Sequence, residues 1–229
     1  MTDVYRVPLR HKIMRRVMKP LARGIFHLLA DVKISGEERI PFGKPYVVAT
    51  NHVSMFDPPF IGAFWPDKLE IIGAANVFDK PAEGLVLKMY GVIPVHRGEY
   101  DRALLTKIIH ILQSGLPLLI APEGGRSHAT AMRRAKPGIA YIVEQTGAPV
   151  VPVGLVGTTG DFFQRAFHKP KPALEMRVGK PIHLPEIEAK GTQRHEMRQR
   201  NADLVMSHLA GLLPEEYGGV YAGSAIRSA

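Results

Sequence analysis

Cysteine is absent from the 229 residues of this chain. Its absence excludes disulfide bridges, metal sites built on thiolates and a cysteine nucleophile, and it suits the cytosol. Long apolar runs are also missing, since none approaches the roughly 18 residues that a membrane-spanning helix needs. Basic residues interrupt the N-terminal region, which therefore lacks the apolar core of a signal peptide. We expect a protein that does not cross a membrane.

The remaining composition is that of a globular protein. Hydrophobic residues make up 45% of the chain and charged residues 22%. The length fits one large domain or two small ones and is ample for a single core. Composition therefore indicates a folded domain rather than a disordered or fibrous chain.

Positive charge is concentrated at the N-terminus. The formal net charge is +9, and residues 1–30 contribute +6 of it, from seven basic residues and one acid. The basic residues are Arg6, Arg10, Lys12, Arg15, Arg16, Lys19 and Arg23. A nucleic-acid partner is disfavoured, because these cations share a segment with apolar side chains and no nucleic-acid-binding motif is present.

The same N-terminal segment has the periodicity of an amphipathic helix. Apolar side chains follow at steps of four at Leu9, Ile13, Val17, Leu21, Ile25 and Leu29, and most of the basic residues collect on the opposite arc. Pro20 is expected to kink this helix or split it in two. The segment could simply cover the core, but an apolar face bordered by basic residues favours a helix in the headgroup plane of an anionic membrane.

Beyond residue 45, short β-rich runs alternate with helical patterns. Strands are predicted at 46–50, 69–74, 92–95, 116–121, 149–155 and 173–178, and helices at 101–113, 138–147 and 194–213. The alternation predicts an α/β fold, a single domain with a largely parallel mixed sheet flanked by helices. We divide the chain into a helical membrane anchor at 1–34, the main domain at 35–213 and a loose C-terminal tail at 214–229.

Polar residues follow three of the predicted strands. His52 and Asp57 come after the first, and a carboxylate five residues away could fix the tautomer of a catalytic histidine, although the stretch could also be an ordinary loop. Arg97 follows another strand, and the stretch PEGGRS at 122–127 follows a third. Loops at the carboxyl ends of parallel strands gather at one edge of the sheet, so these loops could form one site. Their cations suit an anionic, phosphorylated substrate.

Four motifs in these loops match a known family. Asn51–Asp57 reads NHxSxxD, Ile93–Arg97 is an apolar run that ends in arginine, Pro122–Ser127 matches PEGTRS, and Val150–Gly154 is an apolar strand with a proline; Lys136–Gly138 adds a Lys-x-Gly step. The motifs occur in the family's order over residues 35–180. The chain therefore resembles the glycerolipid acyltransferases, which include the 1-acylglycerol-3-phosphate (lysophosphatidate) acyltransferases.

The resemblance implies an activity and its partners. A fatty acyl group would pass from acyl-CoA or acyl-carrier protein to the sn-2 hydroxyl of 1-acylglycerol 3-phosphate, giving phosphatidate. The protein would rest on the cytoplasmic face of an anionic membrane, with no cofactor and no metal. Gly125 replaces the family's usual hydroxyl residue and Ala135 its aromatic, so another acceptor stays open: a glycolipid, another lysophospholipid or glycerol 3-phosphate. A membrane lipid-binding protein without catalysis stays open as well.

The resemblance also assigns roles to residues. His52 would act as the general base, oriented by Asp57. The acceptor phosphate would be bound by three cations, Arg97, Arg126 and Lys136.

Glu123 would also belong to the acceptor site, binding a glycerol oxygen or orienting Arg126, unless it only forms a salt bridge with a neighbouring arginine. Amide groups near Gly124 and Gly125 could stabilise an oxyanion. Ser54 is interpreted as a loop hydrogen-bonding residue and not as a nucleophile.

Overall fold

The structure, a computed structural model, describes residues 4–98, 101–127 and 129–227. Its helices and strands in chain order are α1 Leu9–Leu29, β1 Asp31–Ser35, β2 Val47–Thr50, α2 Asp57–Phe64, β3 Glu70–Ala74, α3 Pro81–Tyr90, β4 Ile93–Val95, α4 Arg102–Gln113, β5 Leu118–Ile120, α5 Gly138–Thr146, β6 Val150–Val156, α6 Phe162–Ala166, β7 Ala173–Val178, α7 Gly191–Ala210 and α8 Glu215–Gly218.

Within the described residues, seven strands form one mixed sheet in the order β1-β7-β6-β2-β5-β3-β4. Every neighbouring pair is parallel except β6 and β7, which run antiparallel. This arrangement confirms the predicted α/β domain with a largely parallel sheet.

The sheet separates two apolar layers. Val47 and Ala49 of β2 pack with residues of α4, α5 and α7, whereas Val48 between them packs with residues of α1 and α2. Alternate residues of a strand point to opposite faces, so one buried strand contributes to both layers. The strands nearest the middle of the sheet are therefore apolar almost throughout, as sheets covered on both faces require.

Five elements were not predicted: β1, α2, α3 and the short helices α6 and α8. The edge strand β1 reads DVKIS and alternates between exposed and half-buried positions, so it lacks an apolar run. Helix α2 is apolar around most of its circumference and so has little helical periodicity, while Pro58 and Pro59 occupy its first turn, where no hydrogen bond is lost. Helix α3 likewise begins at a proline, Pro81.

Helix α1 is continuous from Leu9 to Leu29 with Pro20 inside it, so of the two effects predicted for this proline, a kink or a split, the split does not occur. Side-chain contacts to the domain hold it on both sides of the proline. Arg15 Nη1 lies 2.5 Å from Glu70 Oε1, and Arg23 Nε donates to the carbonyl of Ala63 at 2.6 Å. Lys19 donates to the carbonyl of Trp65.

The orientation of α1 is compatible with the favoured interpretation and not with a helix whose apolar face mainly covers the core. Arg15, Lys19 and Arg23 face the domain, where the last two contact carbonyl groups at the C-terminal end of α2. Those carbonyls lack partners within their helix and carry partial negative charge, so cations bind there favourably. Most apolar side chains of α1 face outward, whereas Phe26 is buried and Leu29 packs against the core. We call this surface the apolar stripe: Leu9, Ile13, Val17, Leu21, Ile25 and Leu28, each 46–72% exposed.

Both predicted domain boundaries lie within or next to secondary structure, at β1 and at α8. The boundary between residues 34 and 35 falls inside β1, which pairs with β7 along its whole length. The predicted tail is not loose in its described part, because Tyr217 and Tyr221 are buried in the core, and residues 228 and 229 lie outside the described residues. No helix within the described ranges is long and apolar enough to span a bilayer.

Replacing Arg15 by alanine should lower the free energy of unfolding by about 3–5 kcal/mol, because it leaves the carboxylate of Glu70, of which 1% is exposed, without its charged partner. Urea denaturation followed by circular dichroism measures the loss. Arg16→Ala is the matched control, since Arg16 is exposed on the same helix. Equal stability of the two variants would contradict the structural role of the ion pair.

Candidate active site

His52 and Asp57 lie between the end of β2 and the start of α2, and they are in contact. His52 Nδ1 is 2.8 Å from Asp57 Oδ2. Asp57 is buried, while 15% of the histidine side chain is exposed. With Nδ1 bonded to the carboxylate, Nε2 is the ring nitrogen left for a substrate. The structure therefore brings together the pair predicted from its spacing.

Four donors fix the carboxylate of Asp57. Oδ2 accepts from His52 and from the backbone N–H groups of Val53 and Ser54, each at 2.8 Å. Oδ1 accepts from the hydroxyl of Thr158 at 2.5 Å. The carboxylate cannot turn without breaking several of these bonds, so the imidazole is held in one orientation.

Ser54 has the role expected of it. Only 3% of this residue is exposed, and its Oγ accepts a hydrogen bond from the backbone N–H of Phe56 at 3.0 Å. Its hydroxyl thus stabilises the turn between His52 and Asp57.

The PEGGRS loop holds the backbone of His52 from the other side. The N–H of His52 donates to Glu123 Oε1 at 3.0 Å, and its carbonyl accepts from the N–H of Ser127 at 2.9 Å. Asn51, which precedes the histidine, exchanges two hydrogen bonds with the backbone of Leu155 in β6. The turn from His52 to Asp57 is therefore fixed to the PEGGRS loop on one side and to β6 on the other.

Glu123 is a buried bridge. Its second oxygen, Oε2, accepts from the backbone N–H of Arg133 at 2.8 Å, and the guanidinium of Arg133 lies 3.9 Å from the same oxygen. Burial raises the pKa of Glu123, while the two backbone donors oppose that rise. The salt bridge considered from the sequence is thus present, and both oxygens already accept protein hydrogen bonds. A contact of Glu123 with an acceptor stays a prediction.

Arg97 and Arg133 meet at Gly125, and the charge of Arg126 acts on Arg97. A Cβ at this glycine would lie 3.2 Å from Arg97 Nη1 and 3.3 Å from Arg133 Nη2. The pKa of Arg97 is lowered, first by burial and then by the charges of Arg126 and Arg133. The predicted cations Arg97 and Arg126 therefore share one site, and Arg133 joins them.

Lys136 completes this group of cations. Gly124 has a φ of +70°, and a Cβ there would lie 2.8 Å from Cδ of Lys136. The backbone N–H of Lys136 donates to the carbonyl of Pro122 at 2.8 Å. Glycine at position 124 thus permits both the turn and the close passage of the lysine.

Sequence reasoning missed Thr158 and Arg133. Thr158 lies two residues beyond the end of β6, so the rule that sites gather at the carboxyl ends of parallel strands could have found it. Arg133 carries no such signal, because it is one of two adjacent arginines in a segment without regular structure. Residues 99 and 100 of the loop after Arg97 lie outside the described residues.

Apolar side chains border the turn from His52 to Asp57. The ring of Phe56 contacts those of Phe162 and Phe163 at centroid distances of 5.3 and 4.9 Å. Met55 and Phe163 remain 44% and 47% exposed. Across residues 4–98, 101–127 and 129–227, no group of three or more His, Asp or Glu side chains is placed to hold a metal ion.

A family model described as Acyltransferase matches residues 31–156, which run from β1 to the end of β6. A chloroplastic 1-acyl-sn-glycerol-3-phosphate acyltransferase from Arabidopsis thaliana is 27% identical over 154 residues, which cover 66% of this chain and 43% of the relative. A lyso-ornithine lipid O-acyltransferase from Pseudomonas aeruginosa is 30% identical over 149 residues, covering 65% and 55%. The matched regions thus span about half the length of these relatives.

A solved structure is similar in fold. The 1-acyl-sn-glycerophosphate acyltransferase of Thermotoga maritima aligns with a TM-score of 0.61 over 85% of this chain and 79% of that one. Sequence identity in this alignment is 22%, so the similarity concerns the architecture.

Glu123→Gln should weaken the hydrogen bonds that hold the backbone at His52 and at Arg133. A side-chain amide has only one acceptor oxygen, so its NH₂ group would face one of the two N–H donors. Leaving such a buried donor without an acceptor costs about 1–3 kcal/mol. Hydrogen exchange at the amides of His52 and Arg133 measures the effect, and we expect faster exchange at one or both. Glu186→Gln, at an exposed position, is the control. Unchanged protection at both amides would refute the bridging role.

Proposed function

The chain belongs to the acyltransferase family, and on that premise we propose that it transfers a fatty acyl group from a thioester donor to the hydroxyl of a lysophospholipid. The donor is acyl-CoA or acyl-carrier protein. The preferred acceptor is 1-acylglycerol 3-phosphate, acylated at its sn-2 hydroxyl to give phosphatidate. One observation carries the proposal: the His52–Asp57 pair, at 2.8 Å, is joined through Glu123 to a loop rich in cations.

The proposed reaction needs a general base on the enzyme and no nucleophilic side chain, because the alcohol of the acceptor is the nucleophile. A thioester is already activated, so the attacking alcohol must chiefly lose its proton. In the proposed mechanism His52 Nε2 takes that proton as the alcohol oxygen forms its bond to the acyl carbon. The carbon–sulfur bond then breaks, and the imidazolium returns the proton to the departing thiolate. General-base assistance of this kind supplies a factor of about 10²–10⁴.

Asp57 and Thr158 keep this base in place. Asp57 holds the histidine through Nδ1 and stabilises the imidazolium that forms. Thr158 binds the other oxygen of the same carboxylate. Ser54 is buried and its Oγ accepts a backbone hydrogen bond, which disfavours a covalent acyl-enzyme on that residue.

The cations supply the site for the acceptor's anionic group. Arg97 lies beside Gly125 and Lys136 beside Gly124, and the charge of Arg126 acts on Arg97. The PEGGRS loop also holds His52. A guanidinium group fits two phosphate oxygens at once. A phosphate bound here would keep a glycerol hydroxyl at a fixed distance from the imidazole, and that restriction raises the rate of attack.

A second acceptor class has a specific observation in its favour. A relative that is 30% identical is named a lyso-ornithine lipid O-acyltransferase. Gly125 and Ala135 also depart from the motifs of the glycerolipid acyltransferases, and Gly125 lies among the arginines. The alternatives are therefore an enzyme of the same fold with another lysolipid acceptor and a lipid-binding protein without catalysis.

Thiol release from acyl-CoA across a panel of acceptors tests the proposal. We expect release that depends on 1-acylglycerol 3-phosphate, and we expect His52→Ala to reduce kcat by about 10²–10⁴-fold while circular dichroism and Tm stay unchanged. His96→Ala is the control, since His96 lies outside the pair.

The outcomes separate the alternatives. Release that requires a different lysolipid would favour the second acceptor class. Absence of release with every acyl-CoA and acyl-carrier-protein donor would favour lipid binding without catalysis. Near-normal turnover by His52→Ala would reject the mechanism.

We further propose that the apolar stripe of α1 rests on an anionic membrane such as the cytoplasmic leaflet. The stripe offers six apolar side chains to the surroundings, and Lys12 and Arg16 beside it are exposed. Such a surface suits the interface between acyl chains and headgroups. Phe26 of α1 contacts Phe162, which contacts Phe56 beside the catalytic turn, so the helix is linked to the site through packed rings.

Replacing Ile13, Val17 and Leu21 together by serine should reduce flotation with anionic liposomes by more than about tenfold, because their transfer out of water is lost. All three side chains are more than half exposed, so stability should be preserved. Phe42→Ser with Val220→Ser, two exposed apolar positions outside α1, is the control. Undiminished flotation of the triple variant would exclude the stripe as the membrane contact.

A further inference from the structure

We propose that Arg133 is a third guanidinium of the acceptor site, that Gly125 provides the space that admits it, and that the site thereby selects a phosphate monoester. The inference rests on the proposed function, because it concerns the group that the acceptor presents. Arg133 belongs to none of the motifs that mark the site in the sequence.

The position of Arg133 is built into the loop. Its Nη2 donates to the carbonyl of Gly125 at 2.6 Å, and its backbone N–H donates to Glu123 Oε2 at 2.8 Å. The other oxygen of Glu123 holds His52. One buried carboxylate therefore fixes the general base and Arg133 relative to each other.

Gly125 provides the room for this arginine. A Cβ at this position would stand 3.2 Å from a nitrogen of Arg97 and 3.3 Å from one of Arg133, tighter than most contacts of real Cβ atoms. The two further heavy atoms of threonine would add to the crowding. Glycine at 125 and arginine at 133 thus fit together as a pair.

The charge of the site is not balanced by the protein. Arg97, Arg126, Arg133 and Lys136 bring four positive charges, and Glu123 brings one negative charge. Within residues 4–98, 101–127 and 129–227, no carboxylate lies within 4.0 Å of the charged groups of Arg97, Arg126 or Lys136. Like charges that share a site repel each other, and an anionic ligand relieves that repulsion.

The number of guanidinium groups indicates the kind of anion. A phosphate monoester carries a charge of about −1.5 to −2 at pH 7 and three terminal oxygens. A phosphodiester carries one charge, and a zwitterionic headgroup adds a cation that this site would repel. Three guanidiniums therefore match a monoester best. Phosphate groups also occur on the acyl donors, but Arg133 adjoins the two arginines assigned to the acceptor, so we assign it to the acceptor.

Binding to an inactive variant tests this assignment without turnover. In a His52→Ala background, calorimetry with a short-chain lysophosphatidate should give a Kd that Arg133→Met weakens by about 10–100-fold, the effect of one hydrogen bond to a charged group. Arg133→Lys should restore part of the loss. Arg134→Met is the matched control, because Arg134 is 72% exposed and pairs with Asp203 at 3.4 Å. Lysophosphatidylcholine and CoA serve as the diester and donor probes.

A double-mutant cycle tests the pairing with Gly125. Gly125→Thr should weaken lysophosphatidate binding, Gly125→Ala should weaken it less, and the threonine effect should shrink in the Arg133→Met background. Shared contacts make such effects non-additive. Threonine effects of equal size in both backgrounds would show that Gly125 acts independently of Arg133 and would overturn the pairing.

The outcomes separate this inference from the proposed function. An unchanged Kd in Arg133→Met, with weaker binding in Arg126→Ala, would overturn the role of Arg133 and leave the acyl transfer standing. A loss of CoA affinity without a loss of lysophosphatidate affinity would likewise overturn it. Lysophosphatidate binding that depends on Arg133, in a protein whose native form releases no thiol, would support the anion site and reject the activity.

Discussion

The buried carboxylate of Glu123 connects the two halves of the site. One oxygen accepts the N–H of His52 and the other that of Arg133, so the proposed base and the proposed anion-binding loop share a single anchor. A buried carboxylate is stable only when its oxygens accept hydrogen bonds, and here backbone groups that must themselves be satisfied provide them. The burial of Glu123 and the placement of the reacting groups thus depend on the same hydrogen bonds.

Strand order explains why these residues meet. The strands β6, β2 and β5 are neighbours, and each carries part of the site just beyond its carboxyl end. Thr158 follows β6, His52 follows β2 and Glu123 follows β5, whereas Arg97 approaches from the edge strand β4. The three central strands are parallel, so their ends lie at one edge of the sheet. The His52–Asp57 pair is held by Glu123 after β5 and by Thr158 after β6, so its imidazole is oriented without rearrangement.

Much of this arrangement could be predicted from the sequence. The rest could not, because it depends on contacts between segments that are far apart in the chain. The spacing of His52 and Asp57, the apolar strands and the motif loops are local patterns. The use of Glu123 as a bridge depends on contacts between segments about 70 residues apart, as does the contact of Thr158 with Asp57 across 101 residues. Periodicity likewise identified the two faces of α1, whereas the contacts of its basic side chains with the domain depend on the carbonyls at the end of α2.

Helix α1 is attached to the domain by one set of side chains and exposes another. Its basic side chains bind the ends of α2 and the carboxylate of Glu70, interactions that water and salt screen weakly when they are partly buried. The apolar stripe therefore stays exposed without any loss to the fold, although six such side chains in water are unfavourable. A bilayer surface would remove that unfavourable exposure without competing for the contacts that hold the helix. Membrane binding and domain stability would then depend on different side chains of one helix, so replacing exposed side chains of the apolar stripe should leave the stability of the domain intact.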